Sequence, residues 1–367
     1  MVMKDKIIVQ AKPLNAFCVQ VFEKLDVSKA DAITTAEVLV EADLRGIDSH
    51  GVARLRRYVK GLRDGVMVAH PKEVAVSETA TTALIDAGAG LGQPVSRRAM
   101  EMSIKKAEKY GVGFVTVRNS NHYGIAGYYA MMALQHGMIG MSMTNADVLV
   151  VPTFGRHAVL GTNPIAVAVP AGKERPFVLD MATSTVPRGK LEVYDRQRKD
   201  MPLGWATDEK GITTKDAHQV LQNLATRRGG GLLPLGGAGE LFSGHKGYGL
   251  ALLVDILSAV LPGAAYADKV YPRTADGKPL PANLGHFFGA IKVEAFRPVS
   301  EFKAAMDQLI LRLKNTPKAE GENRIYIHGE KEYEEAERRS KEGIPLDATV
   351  EADLRAIARE LNIKYDL

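Results

Sequence analysis

The chain has little of several features that would point to a specialised class of protein. Its 367 residues include one cysteine, Cys18, which cannot form an intramolecular disulfide and so gives no sign of an oxidising compartment. The most apolar stretch, residues 248–260, contains Asp255 and is shorter than the roughly 20 residues of a membrane-spanning helix. The first residues lack the long apolar core and small-residue cleavage site of a signal peptide. We therefore expect a cytoplasmic protein that does not enter the membrane.

An excess of charge of one sign is also missing. The 48 lysines and arginines barely exceed the 43 aspartates and glutamates, and the net charge is +5. Nucleic-acid-binding proteins usually concentrate basic residues on one face, whereas here they are spread along the chain. One basic run, residues 54–63, includes Tyr58, Val59 and Leu62 at helical spacing and is typical of an amphipathic surface helix. We expect no nucleic-acid partner, and a non-catalytic nucleic-acid-binding module is the remote alternative.

Short nucleotide-binding and metal-binding motifs are absent from the sequence as well. The Rossmann fingerprint places three glycines at fixed spacing between a strand and a helix. Gly88, Gly90 and Gly92 have the wrong spacing, and the glycines at 111 and 113 precede a strand. There is no Walker phosphate loop. The nine histidines show neither H-x-H nor H-x-x-x-H spacing, so the sequence predicts no metal site.

Helical periodicity marks both ends of the chain, and apolar strands mark the middle. Helices are predicted over residues 13–25, 29–45, 95–110, 124–137, 249–261 and 299–314 and through the final forty residues, a hairpin over 74–85, and strands over 111–117, 138–146, 163–171, 176–182 and 287–296. Residues 266–283 are predicted to form a surface excursion. Because strand, helix and hairpin signals mix, we predict an α/β fold with a mixed, largely antiparallel central sheet.

A histidine in a glycine-flanked turn is the first candidate for chemistry. The segment RGIDSHGVAR runs from Arg45 to Arg54 and places His50 just before a predicted helix. A histidine near neutral pKa can move a proton, and an arginine can bind a carboxylate through two hydrogen bonds. Ser49 and Asp48 are candidates to orient the imidazole. The alternative is structural, with His50 capping the helix and Arg54 in solvent.

Further candidates follow the predicted strands. His122 lies at a strand-to-helix junction, where free amides can bind an anion, and is either a second proton carrier or a loop cap. Thr162 offers a hydrogen bond in an apolar stretch, with a plain turn as the alternative. Asp180 lies at the end of a buried strand and is either a functional acid or a helix N-cap. His245 and Lys246, among glycines before an apolar helix, form either a phosphate cradle or a flexible loop.

Eight segments, taken in order, resemble one known family. They are RGIDSHGVARLRRYVKG, RNSNHYGIAGYYA, GMSMTNAD, GTNPIAVAVPA, DMATS, RGKLEVY, GGAGELFSGHKGYGL and RIYIHGEKE. Together they resemble the type-2 malate/L-lactate dehydrogenases, a family of NAD(P)-dependent oxidoreductases that includes sulfolactate, ureidoglycolate, diketogulonate and cyclic-imine enzymes. The resemblance runs from about residue 12 to residue 345. Through SNHYGIAGYYA and SGHKGYGL it is strongest to the archaeal-type malate dehydrogenases of that family.

The resemblance implies a nicotinamide-binding fold unrelated to the Rossmann fold, with NAD or NADP as cofactor. It also implies a homodimer with active sites near the subunit interface. Residues 1–75 together with 300–367 are the implied helical substrate and dimerisation domain, and residues 76–299 the cofactor-binding α/β domain. The implied activity is reversible hydride transfer between malate and oxaloacetate, and L-lactate, sulfolactate or ureidoglycolate are the alternative small-molecule substrates.

The resemblance further implies roles for individual residues. His50 is the implied acid/base at the C2 oxygen, oriented by Ser49, and His122 is the alternative proton carrier. Arg54 is implied to hold the substrate carboxylate, and Thr162 to contact the substrate. The implied cofactor-binding residues are His122, Tyr123, Gly124, Ile125, Ala126, Asp180, Met181, Ala182, His245, Lys246, Arg324, His328 and Gly329.

One position departs from a branch of the family. The imine-reducing members carry an aspartate near the position of Lys190, in a relay with the serine, and this chain has a lysine there. The departure argues against imine reduction and leaves Asp48 as a replacement partner for Ser49. The second carboxylate of malate has three candidate partners, namely Arg45, Arg188 and Lys190.

Overall fold

The computed structural model describes residues 6–367. Its strands are β1 (Lys6–Val9), β2 (Val74–Glu78), β3 (Thr82–Asp86), β4 (Val112–Ser120), β5 (Met138–Thr144), β6 (Ile165–Val169), β7 (Phe177–Met181), β8 (Ala206–Thr207), β9 (Gly231–Leu232), β10 (Leu284–Lys292) and β11 (Ile344–Asp347). Its α-helices are α1 (Ala11–Glu23), α2 (Lys29–Leu44), α3 (Leu55–Arg63), α4 (Gly92–Tyr110), α5 (Ala126–Met132), α6 (Arg188–Arg196), α7 (Ala217–Thr226), α8 (Gly244–Asp255), α9 (Val299–Lys314), α10 (Glu330–Glu342) and α11 (Ala348–Leu361).

The central sheet has the strand order β2-β3-β4-β10-β5-β6-β7. β3 and β4 pair in parallel, and the other neighbours in this sheet pair antiparallel. The prediction of a mixed, largely antiparallel sheet is therefore confirmed. β10 arrives late in the chain yet lies between β4 and β5 and pairs with both, and its residues Leu284 to Ala290 are buried.

Two glycines bring helices close to this sheet. A Cβ at Gly113 of β4 would lie 2.1 Å from the Ser103 carbonyl oxygen of α4. A Cβ at Gly140 of β5 would lie 2.0 Å from the Ala130 carbonyl oxygen of α5. Both distances are far below van der Waals contact, so only glycine permits this packing. The helix that follows β4 is thereby fixed against the sheet, and with it the segment that carries His122.

The terminal segments form a separate core. Side chains from α1, α2, α3 and α11 pack together in it, among them Leu14, Leu39, Tyr58 and Ile357. The prediction of helix through the final forty residues is wrong at residues 344–347, which form β11 and pair antiparallel with β1. The alternation of buried Ile344 and Leu346 with more exposed residues is the period of a strand.

α9 and the segment 186–232 lie apart from that terminal core. Ile310 of α9 packs with Ala171 and Ile327 beside the β6–β7 edge of the sheet. The helices α6 and α7 and the short pair β8–β9 surround a third cluster that includes Leu191, Val220 and other apolar residues. The division into residues 1–75 with 300–367 and 76–299 stays a prediction, and residues 1–5 of it lie outside the described chain. Among residues 6–367 no helix has both the length and the apolar character to cross a membrane.

Candidate active site

Two 3₁₀ turns, Asp48–His50 and Val52–Arg54, join α2 to α3 and present the first candidate histidine. The buried carboxylate of Asp43 fixes these turns, because its Oδ2 accepts the Val52 amide at 2.8 Å. A Cβ at Gly51 would lie 1.9 Å from Asp43 Oδ1, so glycine is required beside this carboxylate. Burial raises the pKa of Asp43 to about 8 against the opposing effect of the Val52 hydrogen bond. α3 itself starts at Leu55, after the second of these turns.

Ser49, His50 and Arg54 form one contact group. Ser49 Oγ and His50 Nδ1 are 2.8 Å apart, and Arg54 Nε donates to the Ser49 carbonyl oxygen at 2.6 Å. The predicted role of Asp48 in orienting this imidazole is wrong, because its carboxylate instead accepts from Arg339 Nη1 of α10 at 2.5 Å. The serine alone thus orients His50 through Nδ1.

His122 lies beside His50 although it comes from the other side of the fold. The two rings are stacked with centroids 5.7 Å apart. The Tyr58 hydroxyl of α3 lies 2.6 Å from His122 Nδ1, and the Gly124 amide donates to the same nitrogen at 3.4 Å. A nitrogen that accepts from an amide carries no proton, so neutral His122 bears its hydrogen on Nε2. Neither His50 Nε2 nor His122 Nε2 has a hydrogen-bond partner within residues 6–367.

The electrostatic setting keeps both imidazoles neutral. Desolvation, followed by the charges of Arg54 and Arg57, lowers the pKa of His50 to about 4. Desolvation, then the same Arg57 charge and His50 itself, lowers the pKa of His122 well below its usual value. Neutral His50 with an open ring nitrogen can accept a proton, whereas neutral His122 presents an N–H that can donate a hydrogen bond.

The predicted cofactor-binding residues 123–126 follow β4. Their side chains are buried in the core, so it is their backbone that lies at the site. The Tyr123 ring is buried, stacks on Tyr129 at 4.9 Å, and places its hydroxyl 3.1 Å from Ser142 Oγ, so it lies in the core. Gly124 has φ +86°, a conformation that favours glycine, and Ile125 and Ala126 are buried as they lead into α5.

Asp180 at the end of β7 is joined to this segment. Its Oδ2 accepts the Gly127 amide at 2.7 Å, and its side chain stays exposed next to Met181 and Ala182. Its Oδ1 has no hydrogen-bond partner in the described part of the chain. The structure therefore brings 122–126 and 180–182 together at one end of the sheet.

Thr162 and Arg45 lie to either side of that group. The Thr162 carbonyl oxygen accepts the Thr183 amide at 2.9 Å, which places Thr162 close to the residues that follow β7. The Arg45 guanidinium is buried over the Tyr333 ring, 4.7 Å from its centroid, and lies 3.8 Å from Glu41. No contact on this side joins Arg45 to His50 or His122 among the described residues.

The residues near α10 are tied to the sheet through the backbone. The His328 carbonyl oxygen accepts the Val178 amide of β7 at 3.0 Å, and Gly329, with φ +94°, is the N-cap of α10. Arg324 donates to Glu334 at 2.7 Å and to Glu330 at 3.2 Å, so its guanidinium already has two carboxylate partners. His328 and Gly329 thus lie beside β7, the strand that carries Asp180.

His245 and Lys246 are exposed in the first turn of α8. No side chain caps this helix at Ser243, and an uncapped N-terminus attracts anions through its free amides. α8 is held to the Thr162 region because Asn163 Nδ2 donates to the Ala251 carbonyl oxygen at 2.9 Å.

The sequence reasoning missed several residues that line the histidine pair. Tyr58 had been treated as an apolar position of a surface helix, and Tyr271 as part of a surface excursion. Arg57 contacts Tyr271 through a hydrogen bond from Nη2 to the phenol oxygen. Arg57 and Tyr58 follow Arg54 at i+3 and i+4, the spacing that places helical residues on one face, and this signal was present in the sequence. No short-range pattern could have placed Tyr271 there.

A family model described as malate/L-lactate dehydrogenase matches residues 9–355. The chain belongs to the malate/L-lactate dehydrogenase family. The resemblance seen in the eight sequence motifs is thereby confirmed.

Relatives of this family support the same assignment. The malate dehydrogenase of Pyrococcus abyssi is 50% identical over 351 residues, which cover 96% of this chain and 94% of that protein. The L-sulfolactate dehydrogenase of Methanocaldococcus jannaschii is 40% identical over 357 residues, 97% of this chain and 98% of that protein. The crystal structure of malate dehydrogenase from Entamoeba histolytica matches with a TM-score of 0.93 at 36% identity, over 99% of this chain and all of that one (100%).

Dehydrogenases of this family use a nicotinamide cofactor, and the donor set of this chain fits one. The open Oδ1 of Asp180 is an acceptor of the kind that binds ribose hydroxyls in other dinucleotide sites. The free amides at the start of α8, with Lys246 beside them, suit a pyrophosphate. Among residues 6–367 no three or more His, Cys, Asp or Glu side chains are grouped so that they could hold a metal ion.

Proposed function

We propose that this protein is an NAD(P)-dependent malate dehydrogenase that interconverts malate and oxaloacetate. The observation that carries the proposal is the stacked His50–His122 pair, each ring with an open Nε2, next to the cation of Arg54. This arrangement offers a proton acceptor, a hydrogen-bond donor and a carboxylate partner within one site. The identity of 50% to the malate dehydrogenase of Pyrococcus abyssi supports the choice of substrate.

The chemistry assigns different tasks to the two histidines. In malate oxidation, His50 Nε2 takes the proton of the C2 hydroxyl as the C2 hydride leaves and the carbonyl forms. His122 donates its Nε2–H to the same oxygen and holds it in place. In reduction, the His50 imidazolium returns the proton to the C2 oxygen as the hydride arrives. Acid/base help of this kind contributes about 10²–10⁴-fold to the rate.

Arg54 is proposed to hold the C1 carboxylate, with Thr162 as a further substrate contact. A carboxylate against Arg54 also cancels part of the positive charge that lowers the pKa of His50, so substrate binding favours the protonated histidine that reduction needs. When bound, NAD or NADP supplies the hydride acceptor in oxidation, and the reduced form supplies the hydride donor. Residues 122–126, 180–182, 245–246, Arg324 and 328–329 are the proposed cofactor contacts.

We further propose that the protein is a homodimer in the cytoplasm. A group of exposed apolar residues around α8 supports a dimer. They lie just before α8, along it, and in the π-helical turn Ile256–Val260 that follows it: Leu241, Phe242, Leu250, Leu253, Ile256 and Val260. Leu241 and Phe242, 87% and 75% exposed, immediately precede the proposed cofactor contacts His245 and Lys246. A second copy that covers this face would also shield the cofactor site, and sedimentation of the purified chain tests for a dimer.

A different 2-hydroxy acid is the second candidate substrate. L-sulfolactate dehydrogenase from Methanocaldococcus jannaschii is 40% identical, and ureidoglycolate dehydrogenase from Escherichia coli is 32% identical. The nucleic-acid-binding alternative has less support, because Arg56 and Arg63 of the basic run are paired with Glu360 at 2.7 Å each. A steep salt dependence of DNA affinity would favour that alternative.

The deciding experiment follows absorbance at 340 nm with purified protein and oxaloacetate, with NADH and NADPH in separate cuvettes. We expect rapid loss of absorbance with at least one of them, and the ratio of the two rates gives the cofactor preference. No loss with either would contradict malate dehydrogenase activity. Pyruvate, sulfopyruvate and oxalurate, tested in the same way, would then identify the substrate among the alternatives.

A further inference from the structure

Arg57 is a cation beside the histidine pair that the proposed reaction has not yet used. It is partly buried one helical turn after Arg54 on α3. It directly precedes Tyr58, whose hydroxyl lies 2.6 Å from His122 Nδ1, and its charge lowers the pKa of both histidines. Its hydrogen bond goes to the neutral Tyr271 hydroxyl, with the guanidinium carbon 5.2 Å from the centre of that ring.

Arg57 lacks a counter-ion in the structure. No carboxylate of residues 6–367 lies within 4.0 Å of its guanidinium, although the neighbouring Arg56 pairs with Asp353 at 2.8 Å and Glu360 at 2.7 Å. Asp147 is near enough to favour the charged form of Arg57 but not to form an ion pair. A partly buried cation without a paired anion is costly unless a bound anion completes it.

The surroundings of Arg57 leave room for such an anion. A cavity of about 630 Å³ is lined by Arg57, Tyr271 and Asn121, the residue that precedes His122. The cavity therefore borders the segment that leads to His122 and the excursion that carries Tyr271, and Asp147 and Arg188 line it as well. The cavity is larger than a four-carbon acid requires.

The three cations considered from sequence for the second carboxylate of malate each have another contact, although Arg188 lines the same cavity as Arg57. Arg45 lies over the Tyr333 ring, and Arg188 pairs with Glu192 at 3.0 Å. Lys190 Nζ lies 5.4 Å from the centre of the Trp205 ring. None of the three has a contact with the histidine pair among the described residues, whereas Arg57 directly precedes Tyr58, which contacts His122.

We infer that Arg57 receives the second acidic group of the substrate, the C4 carboxylate of malate or oxaloacetate, and so selects dicarboxylic over monocarboxylic 2-hydroxy acids. The inference rests on the proposed malate dehydrogenase activity. Arg54, at the N-cap of α3, and Arg57, in its first turn, then bind the two ends of the substrate, and the C2 oxygen faces His50 and His122. The Tyr271 hydroxyl, which accepts from Arg57, fixes the guanidinium in the orientation that receives the carboxylate.

The test compares two substrates that differ only at C4. Oxaloacetate carries a carboxylate there, and 2-oxobutyrate carries a methyl group. We expect Arg57→Gln to lower kcat/KM for oxaloacetate about 10- to 100-fold more than for 2-oxobutyrate, chiefly through KM, because a hydrogen bond to a charged group is lost. Where 2-oxobutyrate turnover is too slow to measure, its constant as a competitive inhibitor of oxaloacetate reduction serves instead.

Three further variants separate this role from a structural one. Arg54→Gln should lower kcat/KM for both substrates by the same factor, because both carry the C1 carboxylate. Arg56→Gln, in which the neighbouring cation with its own carboxylate partners is removed, should leave the substrate ratio unchanged. Arg57→Lys keeps the charge without the planar fork and should restore part of the oxaloacetate preference.

Equal losses of oxaloacetate and 2-oxobutyrate activity in Arg57→Gln would overturn the inference, since Arg57 would then act only through the histidines or the fold. A wild-type protein with no preference for oxaloacetate over 2-oxobutyrate would overturn it as well. A wild-type protein that turns over neither substrate would contradict the proposed function itself, and with it the role inferred for Arg57.

Discussion

The molecule holds imidazoles in two contrasting settings. His50 and His122 meet at the crevice between the terminal helices and the sheet, each with one ring nitrogen held and the other open. His286 of β10 is buried within the sheet, and both of its ring nitrogens are satisfied. Its Nδ1 lies 2.7 Å from Thr144 Oγ1 and its Nε2 lies 2.8 Å from Ser120 Oγ.

The contrast shows which property marks a working histidine. Burial lowers the pKa of His286 to about 3, and burial with nearby cations lowers that of His50 to about 4. A lowered pKa therefore does not distinguish the two settings. The open ring nitrogen does, because only a nitrogen without a protein partner can exchange a proton with a substrate.

Removal of His50 should produce the largest effect. We expect His50→Ala to lower kcat for oxaloacetate reduction about 10²–10⁴-fold, because the proton carrier is lost. The imidazole is half-buried and, within the described chain, bonded only to the adjacent Ser49 hydroxyl, so the free energy of unfolding should change by less than about 1 kcal/mol. Steady-state kinetics and denaturant unfolding measure the two quantities, and near-normal turnover would remove His50 from the mechanism.

Removal of His286 should affect stability instead. We expect His286→Leu to lower the free energy of unfolding by about 2–4 kcal/mol, because the buried Ser120 and Thr144 hydroxyls lose a partner. His136→Leu is the matched control, since His136 is exposed and contacts only Glu108 among the described residues. It should change stability by no more than about 0.5 kcal/mol. Equal effects of the two variants in urea unfolding would contradict the structural role of His286.

The same histidine predicts how stability depends on pH. The folded-state pKa of His286 lies near 3, below the value of 6.5 for an unperturbed histidine, so the unfolded chain binds the proton first as pH falls. The stabilising contribution is complete above about pH 6.5 and is lost as pH falls from there toward 3. Between pH 6 and 4.5, wild type should lose about 1–2 kcal/mol more stability than His286→Leu. Parallel pH profiles of unfolding free energy in the two proteins would contradict this assignment.

The smallest effect is expected at Tyr58, which holds the closed nitrogen of His122. Tyr58→Phe removes the hydroxyl 2.6 Å from Nδ1, and we expect kcat to fall about 3- to 10-fold because His122 is less firmly oriented. Tyr110→Phe, at an exposed tyrosine outside the site, is the control and should leave kcat unchanged. A normal kcat in Tyr58→Phe would show that the Gly124 amide alone orients His122.

The sequence was sufficient to predict the elements whose apolar pattern is strong. β4 to β7 and the helices α1 to α5 fall close to their predicted places, and Ser28 caps α2 by accepting the Asp31 amide at 3.2 Å. β11 was hidden because its four residues separate two charged helices, and its pairing with β1 joins opposite ends of the chain. The helices α6 and α7 were not predicted, and both are short and bury few side chains.

The candidate site was predictable as a set of motifs but not as an arrangement. The motifs around His50 and His122 supply the two candidates for proton transfer, yet the stacking of the two rings depends on tertiary packing between α3 and the end of β4. Arg57 and Tyr271 are 214 positions apart in the chain, so no local pattern links them. Tyr271 was assigned to a polar excursion because proline and charge dominate its neighbours.

The division of labour between the two open histidines is the central claim, and glutamine variants test it directly. Glutamine cannot carry a proton at neutral pH but can donate an N–H hydrogen bond. At saturating oxaloacetate and reduced cofactor, His50→Gln should lower kcat about 10² fold or more, and His122→Gln should lower it about tenfold less than that. The reverse order would contradict the account and make His122 the proton carrier.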